Sequence, residues 1–138
     1  MTTPLLCLLF FAGWTLLIVF GLVAPYRVIN VLRGKARPNT FTPGVPHGPD
    51  WYQRVMRAHV NCAENLPIFG AVVVVGHLVG LRDGTFATLA MIYCGARVGQ
   101  TLAHVVSGRS LAVNVRFTFF LVQIVVIVTM VVIELRAQ

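Results

Sequence analysis

With 138 residues, 57% of them hydrophobic and only 11% charged, and a mean hydropathy of +0.82, the chain is too apolar for a soluble domain, whose charged share is about 25%. It reads as an all-α integral membrane protein of one domain: a hydrocarbon core of about 30 Å needs about 20 apolar residues per helix, so the length holds four antiparallel spans with short connections. The net charge of +7 does not indicate nucleic acid, because the basic residues collect at the ends of apolar segments instead of forming one exposed run.

The first segment, about residues 4–24, is an almost unbroken run of Leu, Phe, Val and Ile. It lacks a basic stretch before Leu5 and is too long for an ordinary leader, so it is expected to be a retained helix. Gly13 and Gly21 give it small surfaces for helix packing, and Trp14 and Thr15 read as packing residues. Residues 26–51 change character: Arg27, Arg33, Lys35 and Arg37 come first, then Pro38, Pro43, Gly44, Pro46, Gly48 and Pro49. These prolines predict a long loop, and loops of that length in small proteins are usually functional or mobile. Arg33, Lys35 and Arg37 also suit a basic patch for lipid headgroups.

The second segment, about 52–79, begins polar and turns apolar, with Pro67 predicted to kink it. At about 100° per residue, Arg54, Arg57, Asn61 and Glu64 fall within roughly an 80° sector. Two guanidiniums, an amide and a carboxylate at a membrane boundary should face protein or a polar ligand instead of lipid. His77, deep in the segment, reads as an interhelical hydrogen-bonding residue. After the turn Leu81-Arg82-Asp83-Gly84, a third segment at about 85–106 carries Arg97, Gln100, Thr101 and His104 on one stripe. The fourth, about 111–135, has Arg116 near its start, Gln123 two turns later on the same face, and Glu134 expected in solvent. Cys7, Cys62 and Cys94 are odd in number and have no metal-ligand spacing, so neither a disulfide framework nor a metal site is expected.

The connecting segments on one side, the first loop and the turn between segments three and four, carry Arg27, Arg33, Lys35, Arg37 and Arg109 against only Arg82 and Arg136 on the other, which predicts that side to be cytoplasmic and both termini to lie opposite. Alternating helix directions bring Arg54, Arg57, Asn61, Glu64, Arg97, Gln100, His104 and Arg116 toward one pocket at that boundary, with Arg33 and Arg37 entering from the loop. Such a cationic pocket with one carboxylate suits a small polyanion that also carries an ammonium, since arginines clamp carboxylates bidentately. The sequence has no Gly-rich phosphate loop and no Ser/His/Asp arrangement, so any nucleophile would have to come from the ligand.

The string Arg54-x-x-Arg57-Ala58-x-x-Asn61-x-x-Glu64, followed by Pro67, resembles the second-helix signature of the MAPEG family, the membrane-associated proteins of eicosanoid and glutathione metabolism. Residues 57–64, Arg-Ala-His-Val-Asn-Cys-Ala-Glu, are especially similar to the family's leukotriene C synthase form. The resemblance implies a homotrimer binding glutathione as co-substrate between neighbouring subunits near the cytoplasmic face. It implies glutathione-binding roles for Arg57, Asn61 and Glu64, with Arg33 reaching the tripeptide's carboxylate from the adjacent subunit. Arg116 is the match for the arginine beside the glutathione sulfur, with Arg109 as a rival. The resulting thiolate would attack a hydrophobic electrophile from the bilayer or reduce a lipid hydroperoxide. His104 and Gln100 stand where eicosanoid-forming members carry rings, which points away from a specialised eicosanoid activity. The alternative from another class is a non-catalytic trimeric scaffold or lipid-binding protein that retains the fold.

Overall fold

A computed structural model describes residues 1–42, 45–106 and 110–137. It is helical, with no strand among the described residues. The elements in order are α1 (Thr3–Ile18), a π turn (Val19–Val23), α2 (Ala24–Leu32), a 3-10 turn (Pro38–Thr40), α3 (Asp50–Leu78), α4 (Gly84–Val106) and α5 (Ser110–Arg136).

The first helix does not stop near residue 24 as expected. It continues without a break from Thr3 to Leu32, because the π turn absorbs Pro25. Proline lacks an N–H and its ring collides with the carbonyl four residues back; in the wide π turn the Ala24 N–H bonds Val19 O, one residue further back than usual, and the clash is relieved. This carries Arg27 from the expected loop into a helix.

Helix α3 runs unbroken through Pro67 for 29 residues, about 43 Å at 1.5 Å per residue. That exceeds a hydrocarbon core of about 30 Å, so the polar first turns of α3 lie at the boundary. Gly80, with φ 75°, ends this helix: its N–H bonds His77 O at 3.1 Å and the Leu81 N–H bonds Gly76 O at 2.9 Å. The Asp83 carboxylate then accepts from the Thr85 N–H at 2.9 Å and starts α4.

Among the described residues, three stretches are long and apolar enough to cross a membrane: Thr3–Leu32, Asp50–Leu78 and Leu111–Arg136. Helix α4 has the length, 23 residues, but buries its polar residues Arg97, Gln100 and Thr101 against the other helices. It packs most extensively on α5, and also contacts α1 and α3. The bundle core includes Phe11, Phe69 and Tyr93; Phe69 and Tyr93 stack at 4.3 Å with their planes 2° apart. Close approach of α4 to α5 depends on Gly99, where a Cβ would sit 2.5 Å from the Phe119 ring.

Two expectations fail at the far end of the bundle. Glu134 is not in solvent but buried, at 6% exposure, in the space left by Gly76, whose Cβ would lie 2.9 Å from the Glu134 carboxylate. His77 faces outward and is exposed, one helical position from Gly76, which takes the interior face instead.

Candidate functional site

Along α3, Gln53, Met56, Arg57, Val60, Asn61 and Glu64 recur at helical spacing and form one wall of a cleft of about 480 Å³. Arg27 of α2 and His104 of α4 contribute from either side, and Thr42, Val45, Pro46 and His47 of the loop complete it. The stripe that faces the cleft is centred near Val60 and Glu64, about 90° from Arg54. Arg54 accordingly points toward α4, where its Nε donates to Val105 O at 3.2 Å, and it does not line the cleft.

The loop wall is held by aromatic packing. Tyr26 and Tyr52 stack at 4.1 Å, Trp51 meets Tyr26 edge-on at 5.3 Å, and the His47 ring lies 5.4 Å from Tyr52 and 5.2 Å from Phe41. Gly48, at φ 75°, passes so close that a Cβ would meet the Tyr26 hydroxyl at 2.9 Å. The His47 Nδ1 lies 2.8 Å from Val45 O, and since a carbonyl only accepts, that nitrogen carries the proton. The loop residues that line the cleft are thus docked on the ends of α2 and α3.

Arg27, which reads in the sequence as a topology charge, is a cleft residue. Its Nε donates to the Tyr52 hydroxyl at 2.8 Å, its Nη2 approaches the Met56 sulfur at 3.7 Å, and its guanidinium lies 5.2 Å from the Phe41 ring centre. All these partners are neutral, so its charge is available to a ligand. Arg57 is exposed, and among the described residues its side chain is held through Nε to Gln53 O at 3.4 Å. Glu64 is exposed on the same wall.

Arg97 and Gln100 are brought to the site but stand behind its wall. Arg97, 1% exposed, donates through Nη1 to the Asn61 side-chain oxygen and to Gln100 Oε1 at 2.8 Å, and through Nη2 to the Tyr93 hydroxyl at 3.4 Å. Its guanidinium carbon lies 5.4 Å from the Phe11 ring centre and 5.7 Å from that of Tyr93. Because Arg97 only donates, the Asn61 oxygen must face it, which leaves the Asn61 amide N–H groups for the cleft. Gln100 Oε1 also accepts from Gln123 at 3.2 Å, while Gln100 Nε2 donates to the Arg116 backbone carbonyl at 3.1 Å. A buried chain of neutral amides around one guanidinium therefore fixes both Asn61 and the first turns of α5.

Arg116 is not itself a lining residue; its Nη1 lies 3.4 Å from Nδ1 of His104, which is. The pair places a cation at the α4–α5 rim. Arg33 and Arg37 are exposed and do not enter the cleft of their own chain. Arg109 lies outside the described residues.

A family model described as the MAPEG family matches residues 4–135, which takes in every element that builds the cleft. The chain belongs to the MAPEG family. It is also 32% identical over 77 residues to leukotriene C4 synthase of Cavia porcellus. That match covers 56% of this MAPEG chain and 50% of the relative, so the chain spans about half the length of the curated relative it matches. Among the lining residues not expected from the sequence, Arg27, Met56 and His47 have signals visible only in part. Met56 and Val60 share the α3 stripe with Arg57 and Glu64, but Arg27 needs the extended first helix and His47 needs the docked loop.

Proposed function

We propose that this MAPEG chain is a microsomal-type glutathione transferase that activates the glutathione thiol for attack on lipophilic electrophiles. One observation carries the reading: the cleft holds two guanidiniums with only neutral partners, Arg27 and Arg57, and one carboxylate, Glu64. Glutathione at neutral pH carries the complementary set, two carboxylates and one ammonium. The guanidiniums take the carboxylates, Glu64 takes the ammonium, and the Asn61 amide donates to the peptide backbone. Membership of the MAPEG family supports this assignment.

Arg116 supplies the reactive step. A free thiol has a pKa of about 8.5 and is a few per cent thiolate at neutral pH. Lowering it by one to two units requires about 1.4–2.7 kcal/mol of preferential thiolate stabilisation, within the range of a charge-assisted hydrogen bond from a partly buried arginine. The thiolate sulfur then bonds to an electrophilic carbon and a halide or alkoxide leaves; the thiol proton goes to solvent. A lipid hydroperoxide is the second substrate class: two glutathione molecules are oxidised to the disulfide as the peroxide becomes an alcohol and water.

In this reading α4 is a fourth membrane span whose polar residues face the bundle, three chains assemble as a homotrimer, and a neighbour closes the open side of the cleft. The site faces the cytoplasm and both termini lie opposite, a reading supported by the excess of Lys and Arg in the connections on that side. The test uses the purified chain in detergent with glutathione and a chloronitroaryl substrate, following thiolate absorbance and conjugate formation. Wild type should show both. Normal turnover in Arg116→Ala would remove Arg116 from the step, and normal turnover in both Arg57→Ala and Glu64→Ala would reject the glutathione site. Glutathione binding without thiolate absorbance or conjugate would leave a non-catalytic binding protein.

A further inference from the structure

A second cleft, of about 330 Å³, lies on the other side of Arg27. One wall is the last turn of α2, Val28, Val31 and Leu32; the other is Pro38 and Phe41, on and beside the 3-10 turn. The volume is at the lower end of the range for small-molecule sites. Its walls are apolar apart from Arg27, and Leu32 at its edge is 80% exposed.

The connection between the two walls is residues 33–37, and three of these five are basic: Arg33, Lys35 and Arg37. All three are exposed. Their placement is set by the backbone. Gly34, at φ 66°, closes α2 with its N–H on Val31 O at 3.0 Å, and the Lys35 N–H bonds Asn30 O at 2.9 Å. Thr40 then turns the chain back, its N–H on Arg37 O at 2.9 Å and its hydroxyl accepting the Arg37 N–H at 3.1 Å. An apolar slot thus stands at the end of a membrane-spanning helix with three cations on the strap across it. None of the four carboxylates of the chain lines it.

We infer that this slot and the Arg33–Lys35–Arg37 strap bind one anionic phospholipid from the leaflet on the loop side. The phosphate sits on the strap and the upper acyl chain lies against Val28, Val31 and Leu32. Bilayer lipid is the occupant because the slot opens beside a helix that crosses the membrane, and because anionic lipid alone supplies both an apolar chain and the negative charge that these cations lack. The inference does not require the glutathione reading, although Arg27 lines both clefts. It gives Arg33 and Arg37 a role consistent with their position outside the main cleft.

The experiment uses the full chain in a neutral detergent, with phosphatidylglycerol, phosphatidylcholine or inorganic phosphate added at equal concentrations. Native mass spectrometry counts retained lipid and a thermal scan reports stabilisation. Phosphatidylglycerol should be retained over phosphatidylcholine and should raise the thermal midpoint, whereas phosphate should do neither. Each basic residue contributes about fivefold near an anionic surface, so the triple variant Arg33→Gln, Lys35→Gln, Arg37→Gln should lose the preference while remaining folded, since all three side chains are exposed. Val31→Trp, which fills the slot and leaves the charges, should lower retention as well. Equal retention of the two lipids, or an unchanged preference in the triple variant, overturns the site. Stabilisation by phosphate alone reassigns the strap to a soluble anion, and an unaffected Val31→Trp variant reduces the site to diffuse surface attraction; both refute the inference.

Discussion

Asn61 joins the buried network to the cleft, and replacing it with aspartate separates the two. In the wild-type chain the Asn61 oxygen accepts from Arg97, whose other hydrogen-bond partners, Gln100 and Tyr93, are also neutral. Asn61→Asp keeps an oxygen for Arg97 and converts a neutral acceptor into a counter-ion. Arg97 is already desolvated, at 1% exposure, so the additional burial falls on the new carboxylate alone, and position 61 is only half-buried. The thermal midpoint should stay at or above that of wild type. Asn61→Ala removes the acceptor outright and should lower stability by about 1.5–3 kcal/mol, the range for a hydrogen bond to a charged group. Glutathione binding responds differently. Aspartate's side chain has no N–H to donate and adds a negative charge beside a ligand of net negative charge, so loss of about 1.5–3 kcal/mol should raise the dissociation constant roughly 10- to 150-fold. Thermal scans in detergent and calorimetric titration with glutathione measure the two quantities on the same preparations. The reasoning is refuted if Asn61→Asp binds glutathione as wild type does, or if it unfolds together with Asn61→Ala.

Removing the cation in Arg116→Ala raises the pKa of bound thiol toward its free value of about 8.5, so the alkaline rise of the conjugation rate should move up by about one to two pH units, as a pH–rate profile would show. Gly99→Val should lower the thermal midpoint by the equivalent of about 1–3 kcal/mol, because its side chain must displace Phe119 from the α4–α5 contact; calorimetric unfolding checks the loss. Gly48→Ala places a Cβ against Tyr26 at a left-handed position that disfavours it by about 1–2 kcal/mol, so the loop should undock and become more sensitive to limited proteolysis than in wild type.

The apolar runs made most of the helices legible, because a segment that must bury its backbone polar groups in lipid has few alternatives to helix. The end of the first helix was not legible. The composition turns polar from Tyr26, yet polar residues at the boundary do not break a helix, and the π turn accommodates Pro25 within it. The α3 stripe was read from angular spacing alone, which groups Arg54 with Arg57, Asn61 and Glu64; packing of α4 then drew Arg54 to Val105 and turned the stripe's centre toward Met56 and Val60. Arg97 and Gln100 were recognised as a polar stripe, but their depth relative to Asn61 depends on how α3 and α4 pack. Glu134 reads as a terminal surface acid until α5 is seen against Gly76, whose missing side chain makes room for the carboxyl group.

The charge inventory connects these particulars. The chain has four carboxylates against eleven basic residues, and only Glu64 stands in the main cleft. Arg27, Arg54, Arg57, Arg97 and Arg116 make their described hydrogen bonds to hydroxyl, thioether, carbonyl, amide or imidazole groups. A protein selected only for stability would replace such cations or supply carboxylates, because guanidiniums near a low-dielectric region are costly without counter-charge. Two functional uses of this imbalance fit different places. At Arg27 and Arg57 the proposed counter-charge is the ligand's own carboxylates, and Glu64, the resident carboxylate of that cleft, makes no described bond to either guanidinium. At Arg97 the charge is enclosed, and its neutral partners let it orient Asn61 while its field reaches the same cleft. If the cleft takes glutathione as proposed, ligand binding and stability are linked through Asn61: the bond that holds its oxygen on Arg97 also turns its amide toward the cleft.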